Sequence, residues 1–338
     1  MHMADALISP SVGGAFWAAS ASTIAYCGKK LKEAHDDRLV PLMGVLGAFI
    51  FTAQMVNFSV PGTGSSGHLG GGLILAILLG PYAAFLVIAS VLTVQCLFFA
   101  DGGLLALGCN LINMGFIPAF IAYPLIYRPI AGGGGQSRQW IGALLAAVIG
   151  LQMGALGVVF ETKASGVSAL PFQTFLLLMQ PIHLAIGIIE GLATAVIVGF
   201  VSSVRPEVVG QSGYRSSVKS VCLGILAAAI LVGGILSCFA SKRPDGLEWA
   251  IAKITGHTEL QGNQDQAHRS ASRVQERTAL LPDYQFRPSN GGLQAKPDSA
   301  VDLSRSGTSI SGILGGTITL AICVLIAFGL KLRRSGCE

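Results

Sequence analysis

Apolar runs long enough to cross a lipid bilayer recur along this chain and limit the folds open to it. Hydrophobic residues make up 52% of the 338 residues, charged residues make up 12%, and the mean hydropathy is +0.65. A helix needs about 20 mainly apolar residues to span the hydrocarbon core. We therefore predict an all-α integral membrane protein. The candidate spans are residues 11–27, 39–58, 69–100, 104–127, 139–160, 172–201, 218–239 and 310–330.

Clusters of basic residues lie between these runs and orient them. Cytoplasmic loops of membrane proteins carry an excess of Lys and Arg. If all the clusters are cytoplasmic, the N-terminus and residues 59–68 face the outside, and the C-terminus faces the cytoplasm. The clusters are Lys29, Lys30, Lys32 and Arg38; Arg128 and Arg138; Arg205, Arg215 and Lys219; and Lys331, Arg333 and Arg334.

The apolar stretch of residues 69–100 is too long for one ordinary membrane-spanning helix and short for two. Arg128 can be cytoplasmic only if the chain crosses twice in this stretch, with a tight turn near Gly80-Pro81. The first crossing, residues 69–79, would then have to be tilted or sheltered by protein. This count predicts a seven-helix substrate-binding bundle followed by a two-helix transmembrane hairpin.

Composition divides the chain into three parts. Residues 1–203 form a compact apolar block, and residues 204–217 form a polar cytoplasmic linker. Residues 218–338 form the hairpin, with a long extracytoplasmic loop at residues 241–309. The loop is rich in Gln, Ser, Pro and Arg from residue 257 onward, so we expect it to be largely disordered. Isolated histidines in such a tract, here His257 and His268, are usually solvated.

The chain begins Met1-His2, which supplies three nitrogens for a metal ion. The free terminal amine, the deprotonated amide of His2 and its imidazole Nδ1 can close fused chelate rings in one plane. The bulky His2 disfavours removal of Met1. A second imidazole, that of His68 in PGTGSSGHLGGG, would complete a square of the kind that suits Ni(II) or Cu(II). By itself the motif is weak, because any chain starting Met-His has these atoms and most termini are frayed.

Other polar residues lie within or beside the apolar runs. Gln95, Asp101, Asn110 and Asn113 bracket one outside turn, where they either orient the metal-binding groups or cap helix ends. We also expect His68 to begin a helix that holds its imidazole rigid.

His183 and Glu190 are seven residues apart, so they share a helix face and point into the bundle. They form either interhelical hydrogen bonds beside Gly187 and Gly191 or a proton relay.

Several functions are excluded by what the sequence lacks. No basic block is interleaved with aromatic residues, so nucleic acid is not an expected partner. The seven cysteines form no Cys-x-x-Cys pair, and we interpret them as small apolar residues of the membrane helices. No phosphate-binding Gly-x-x-x-x-Gly-Lys-Ser/Thr loop, His-Glu-x-x-His or nucleophile elbow occurs. We therefore predict that the chain is not an enzyme and that any ATP hydrolysis occurs on separate partners.

Five segments resemble the CbiM/NikM substrate-capture components of energy-coupling-factor transporters. They are MHMADALISP, VPGTGSSGHLGGG, LLGPYAAFLV, VQCLFFADGGLLALGCNLINMG and PIHLAIGIIEGLATA. A sixth, KRPDGLEWAIAKITG, is similar to the PDGLE signature of the NikN small subunit, so the whole resembles a fused NikMN protein. The family commonly opens Met-His-Ile-Pro-Asp-Gly, whereas this chain has Met3, Ala4 and Ala6 and keeps Asp5. The ligand positions are present, but the docking of the terminal segment does not follow from the family pattern.

The resemblance implies uptake of Ni(II) or Co(II) as transported substrate, with metal held by Met1, His2 and His68. It also implies a transmembrane coupling subunit of the CbiQ/NikQ type, ATPase subunits of the CbiO/NikO type, and a bacterial or archaeal cell membrane. The NikN-like tail favours nickel. The alternatives are a proton-coupled secondary transporter using His183 and Glu190, and an intramembrane enzyme of cobalamin synthesis.

Overall fold

The protein is mostly helical, as the sequence predicts, with 79% of residues in helices. The computed structural model describes residues 2–34, 39–204, 218–260, 262–263, 265–286 and 297–335. Within these ranges, six helices are long and apolar enough to cross a membrane, which confirms a multi-pass membrane protein. They are Pro81–Phe99, Leu107–Ala131, Gln136–Ser165, Phe172–Val201, Val221–Phe239 and Ser306–Leu330.

The helices follow one another with short connections in the N-terminal two thirds of the chain. A two-stranded antiparallel hairpin, β1 (Phe58–Ser59) with β2 (Ser66–Gly67), interrupts them. The helices are α1 (Pro10–Ala34), α2 (Leu39–Gln54), α3 (Gly72–Leu79), α4 (Pro81–Phe99), α5 (Leu107–Ala131), α6 (Gln136–Ser165), α7 (Phe172–Val204), α8 (Val218–Gly234), α9 (Gly246–Thr255), α10 (Gln266–Thr278) and α11 (Pro297–Ser335). The central part of α5, Ile112–Tyr127, is a π-helix.

The short helix α3 is sheltered by protein along its whole length. All eight of its residues are buried. It ends at Gly80, whose φ of 79° suits glycine alone among common residues, and Pro81 then occupies the first turn of α4. The tight turn predicted at Gly80-Pro81 is therefore confirmed.

Helices α6 and α7 approach closely through the two glycines that the sequence places beside Glu190. A Cβ on Gly187 would lie 3.1 Å from Cα of Val148, and a Cβ on Gly191 would lie 2.7 Å from Cα of Leu144. Small residues let membrane helices pack backbone against backbone. The close packing fixes the face of α7 that carries His183 and Glu190.

His68 does not begin a helix, contrary to the expectation. It follows β2 directly, and α3 begins only at Gly72. Gly71 has a φ of 76°, a left-handed value outside the helical region, and this conformation ends the loop. The imidazole is thus carried by a glycine-rich loop that runs from the β-hairpin into the bundle.

The loop at residues 241–309 is more ordered than expected, because residues 246–255 and 266–278 form α9 and α10. The side chain of Asp245 accepts hydrogen bonds from the amides of Leu247 and Glu248, and Glu248 completes a capping box. Leu247 and Ile251 bury the apolar face of α9. This helix signal, Asp-x-x-Glu before apolar residues, is visible in the sequence.

Candidate metal-binding site

The N-terminal segment is docked into the bundle by its backbone. The Met3 amide donates to Asn110 Oδ1 at 2.8 Å, and the Met3 carbonyl accepts from Asn110 Nδ2 at 3.2 Å and from the Gly103 amide at 2.8 Å. Side chains of Met3, Leu7 and Ile8 are buried. These contacts hold His2 against the bundle, with its side chain only 8% exposed.

Asp5 and His268 add a second set of anchors. Asp5 Oδ1 accepts from the amides of Leu105 and Ala106 at 2.8 and 3.0 Å. His268 Nε2 donates to the carbonyls of Asp5 and Ile8, both at 3.0 Å. His268 is buried, so the expectation that it is solvated is wrong, because α10 turns it inward onto the N-terminal segment. His257 is exposed.

His2 and His68 lie together, as the sequence hypothesis requires. Their rings stack with centroids 5.2 Å apart and an interplanar angle of 18°. Met1, the third predicted site residue, lies outside the described residues. Burial lowers the pKa of His2 below its usual value and lowers the pKa of His68 to about 3. Both imidazoles are therefore neutral at physiological pH, which is the form that binds metal ions.

A chain of hydrogen bonds fixes the tautomer of His2. Gln54 Nε2 donates to the Gly70 carbonyl at 2.7 Å, and Gln95 Nε2 donates to Gln54 Oε1 at 2.8 Å. Gln95 Oε1 must then accept from His2 Nε2, 3.1 Å away. The proton therefore sits on Nε2, and Nδ1 keeps its lone pair. Sequence reasoning missed Gln54, although a glutamine within an apolar run is a visible signal.

Gln95, Asp101, Asn110 and Asn113, which the sequence places around one turn, divide between two roles. Gln95 and Asp101 both approach the His2 ring, with Asp101 Oδ1 at 3.4 Å from Nδ1. Asn110 holds the Met3 backbone, so these three orient the N-terminal segment. Asn113 instead donates to Glu161 Oε2 at 2.7 Å.

The PDGLE segment, Pro244 to Glu248, packs against the loop that carries His68. The Ser66 amide donates to the Pro244 carbonyl at 2.8 Å. The ring nitrogen of Trp249 donates to the Thr63 carbonyl at 2.9 Å. Gly246, the first residue of α9, packs against α7, since a Cβ added to Gly246 would lie 3.0 Å from the His183 ring. The segment therefore packs against both the loop that carries His68 and helix α7.

Two cavities meet at His68 and Asp245. The outer cavity, about 570 Å³, is also lined by His2, Asp101 and Glu248. The inner cavity, about 30 Å³, is also lined by His183 and Glu190. Carboxylates outnumber the lysine, Lys242, that lines the outer cavity, and no described lysine or arginine lines the inner one, so both cavities favour cations over anions. Among the described residues, no three His, Cys, Asp or Glu side chains form a cluster able to hold a metal ion.

His183 and Glu190 are buried in the bundle, as predicted. His183 Nδ1 donates to the Met179 carbonyl at 2.8 Å, and Glu190 Oε1 accepts from the Gly71 amide at 3.1 Å. Glu190 thus ties α7 to the loop of His68.

Comparison with known families now identifies the chain's relationships. The CbiM family model, described as the cobalt uptake substrate-specific transmembrane region, matches residues 2–208, and the PDGLE domain model matches residues 219–332. The chain belongs to the CbiM family. Its membership confirms the resemblance seen in the sequence and makes the chain a membrane component of a metal transporter.

The similar proteins differ in how much of the chain they cover. The "Putative fused nickel transport protein NikMN" of Archaeoglobus fulgidus is 32% identical over 323 residues, covering 95% of this chain and 96% of the relative. The cobalt transport protein CbiM of Geobacter sulfurreducens is 27% identical and covers 75% and 77%. A crystal structure described as a transition metal transporter is 29% identical with a TM-score of 0.54, covering 60% of this chain and 93% of that chain.

Proposed function

We propose that this chain is the metal-capturing subunit of an ATP-driven energy-coupling-factor importer for Ni(II) or Co(II). The metal is bound on the extracytoplasmic side by a square-planar set of nitrogens. These are the amine of Met1, the amide and Nδ1 of His2, and the imidazole of His68. The observation that carries the proposal is the pairing of the His2 and His68 rings at 5.2 Å, with the lone pair of His2 kept on Nδ1.

The donor set explains the choice of metal. Two of its four nitrogens belong to the backbone, so it needs no third histidine or cysteine. Four nitrogens in a plane suit Ni(II) and disfavour Zn(II), which prefers tetrahedral sites. His68 Nδ1 donates to the Leu69 carbonyl at 3.1 Å, which leaves the lone pair of this ring on Nε2. Relatives named as fused nickel transport proteins favour nickel as the substrate.

The metal enters through the outer cavity. Asp101, Asp245, Glu248 and Asp283 line it, and they attract a hydrated cation toward His2 and His68. The PDGLE segment closes the site over the loop of His68. Ser66 connects that loop to the PDGLE segment, and Gly71 connects it to α7. A movement of either element therefore shifts the loop of His68, and the metal is released.

The same proposal includes the organisation inferred from the sequence. Residues 1–203 form the metal-binding domain with seven crossings, and residues 204–217 form a cytoplasmic linker. Residues 218–338 form the PDGLE hairpin with two crossings. The N-terminus is extracytoplasmic and the C-terminus is cytoplasmic. Subunits of the CbiQ/NikQ and CbiO/NikO types supply coupling and ATP hydrolysis.

The test is an N-terminal extension. Adding one residue before Met1 converts the terminal amine into an amide and moves it, so we expect Ni(II) binding to be abolished. Isothermal titration of the full chain, with a C-terminal tag, measures the effect. The control is the same residue added after Glu338, which should leave binding unchanged. Full affinity in the N-terminally extended protein would contradict the chelate.

A second candidate is a proton-coupled secondary transporter that uses His183 and Glu190. The burial of both groups beside one cavity favours it. Uptake of radioactive nickel by cells that express this chain, with and without the partner ATPases, separates the two. Uptake that collapses without the ATPases supports the importer, and uptake that persists supports proton coupling.

A further inference from the structure

Two groups that can bind a metal ion lie side by side on the wall of the outer cavity. Oδ1 of Asp101 is 3.4 Å from Nδ1 of His2, and both residues line the cavity. The side chain of Asp101 is 25% exposed and that of His2 is 8% exposed. Asp101 is therefore the more accessible of the two to an ion in the cavity.

The proton position of His2 makes both of these atoms acceptors. The hydrogen bond from His2 Nε2 to Gln95 Oε1 leaves a lone pair on Nδ1. Asp101 Oδ2 accepts a hydrogen bond from the Tyr284 hydroxyl, and Oδ1 is the oxygen beside His2. A lone pair next to a carboxylate oxygen is unfavourable unless a donor or a cation lies between them. A cation also meets the charge of the carboxylate, so the pair favours a cation.

The fold fixes the separation of the two atoms. Asp101 follows α4, and its amide donates to the Gln95 carbonyl at 3.1 Å. The side chain of the same glutamine accepts from His2. Tyr284, whose ring stacks on Phe99 with centroids 5.1 Å apart, holds the other oxygen of the Asp101 carboxylate. Both metal-binding groups are thus held by contacts within the protein itself.

The separation suits two ligands of one ion. Bonds from a metal to an imidazole nitrogen or a carboxylate oxygen are about 2.0–2.2 Å long. Two such bonds span 3.4 Å at an angle of about 110°, nearer the tetrahedral value than the right angle of a planar set. Among the described residues, no third His, Cys, Asp or Glu side chain joins the two. Water therefore keeps the remaining positions, and the site is weak.

We propose that Asp101 is the first protein ligand of the entering metal, and that its carboxylate and Nδ1 of His2 hold the hydrated divalent ion before the planar chelate closes. This inference rests on the proposed function, because the chelate receives the metal. The chelate requires the His2 amide to lose its proton, whereas the first site binds the ion without that step. The amide proton leaves to water in the outer cavity. The metal stays on Nδ1 throughout, and nitrogens replace the carboxylate.

Stopped-flow mixing of the full-length, metal-free protein with Ni(II) tests this order of binding, with absorption of the planar nickel centre as the signal. In the wild type the rate should rise with the Ni(II) concentration and then saturate, because the first site fills before the chelate closes. Asp101→Ala should lose the saturation, bind about 10-fold more slowly at low Ni(II) and keep its tight equivalent. The retained equivalent shows that the variant is folded.

Three further variants separate ligation from charge. Asp283→Asn removes a carboxylate that lines the same cavity, so it should slow binding through charge alone and keep the saturation. Glu259→Ala is the matched control, because it removes an exposed carboxylate outside the cavity lining, and it should behave as the wild type does. Tyr284→Phe keeps the stacking on Phe99 but releases the carboxylate, so its rate should lie between those of the wild type and Asp101→Ala.

Zn(II) distinguishes the first site from the chelate, because this ion disfavours a planar set of ligands. His68→Ala should lose the tight Ni(II) equivalent and still bind Zn(II) weakly in calorimetry. Asp101→Ala combined with His68→Ala should lose that weak binding. Saturation that persists in Asp101→Ala, or weak Zn(II) binding that survives in the double variant, would overturn this inference. Tight Ni(II) binding that survives in His68→Ala would contradict the proposed chelate instead.

Discussion

Gly103→Ala tests whether the docked N-terminal segment forms the metal site. A Cβ on Gly103 would lie 2.6 Å from Asp5 Cγ and closer still to its Oδ1 and backbone nitrogen. Carbon atoms in ordinary contact are about 3.5–4.0 Å apart, so the overlap is about 1 Å and involves backbone. The segment that carries His2 cannot stay in place beside an alanine.

The expected cost follows from these contacts. Overpacking of this kind costs about 1–3 kcal/mol. Displacing the segment also breaks the 2.8 Å bond from the Gly103 amide to the Met3 carbonyl, worth about 0.5–1.5 kcal/mol. The metal-free protein relieves the overlap by releasing the segment, whereas the chelate needs it docked. A difference of about 3 kcal/mol weakens metal binding about 100-fold.

Isothermal titration with Ni(II) measures this loss, and hydrogen exchange at residues 2–8 reports whether the segment is released. Gly14→Ala is the matched control, because no atom lies within 4 Å of its added Cβ and α1 tolerates alanine. It should bind Ni(II) as the wild type does. Unchanged affinity in Gly103→Ala, with exchange showing a released segment, would refute the reasoning.

Three further predictions concern the contacts around the site. Burial alone would lower the pKa of His268, but its hydrogen bond to Asp265 raises that pKa above the usual 6.5. The stabilisation that His268 contributes should be complete below about pH 6.5 and be lost as pH rises through the raised pKa. Thermal melts of wild type and His268→Phe across this range would show the loss. A difference in melting temperature between the two proteins that stays constant with pH would contradict it. Asp245→Asn should keep the N-terminal cap of α9, whereas Asp245→Ala should lower the free energy of unfolding by about 1 kcal/mol. Only Asp245→Ala should therefore show a lower melting temperature in detergent. Trp249→Phe removes the bond to Thr63 and should speed release of Ni(II) in stopped-flow chelator exchange, and an unchanged rate would show that the PDGLE segment does not hold the site closed.

Much of the fold could be predicted from the sequence because it depends on local patterns. The apolar runs gave the membrane-crossing helices, and Gly80-Pro81 marked the turn between α3 and α4. Gly187 and Gly191 marked the close packing of α7 on α6. The pairing of His2 with His68 followed from donor chemistry together with the resemblance to the CbiM/NikM family.

The rest depends on contacts between distant parts of the chain. Gln54 and Gln95 are 41 residues apart, and only the packing of α2 against α4 joins them to His2. His268 lies in a polar tract whose composition indicates disorder, yet its partners are carbonyls more than 250 residues away. The start of α3 at Gly72 depended on the backbone angle of Gly71, which no residue pattern specifies.

The central claim is tested most directly by Ni(II) titration of the purified chain with its native Met1, beside His68→Ala. X-ray absorption of the loaded protein reports the ligands. The account predicts one tight equivalent with four nitrogens in a plane, lost in His68→Ala. Tight binding that is unchanged in His68→Ala would contradict it.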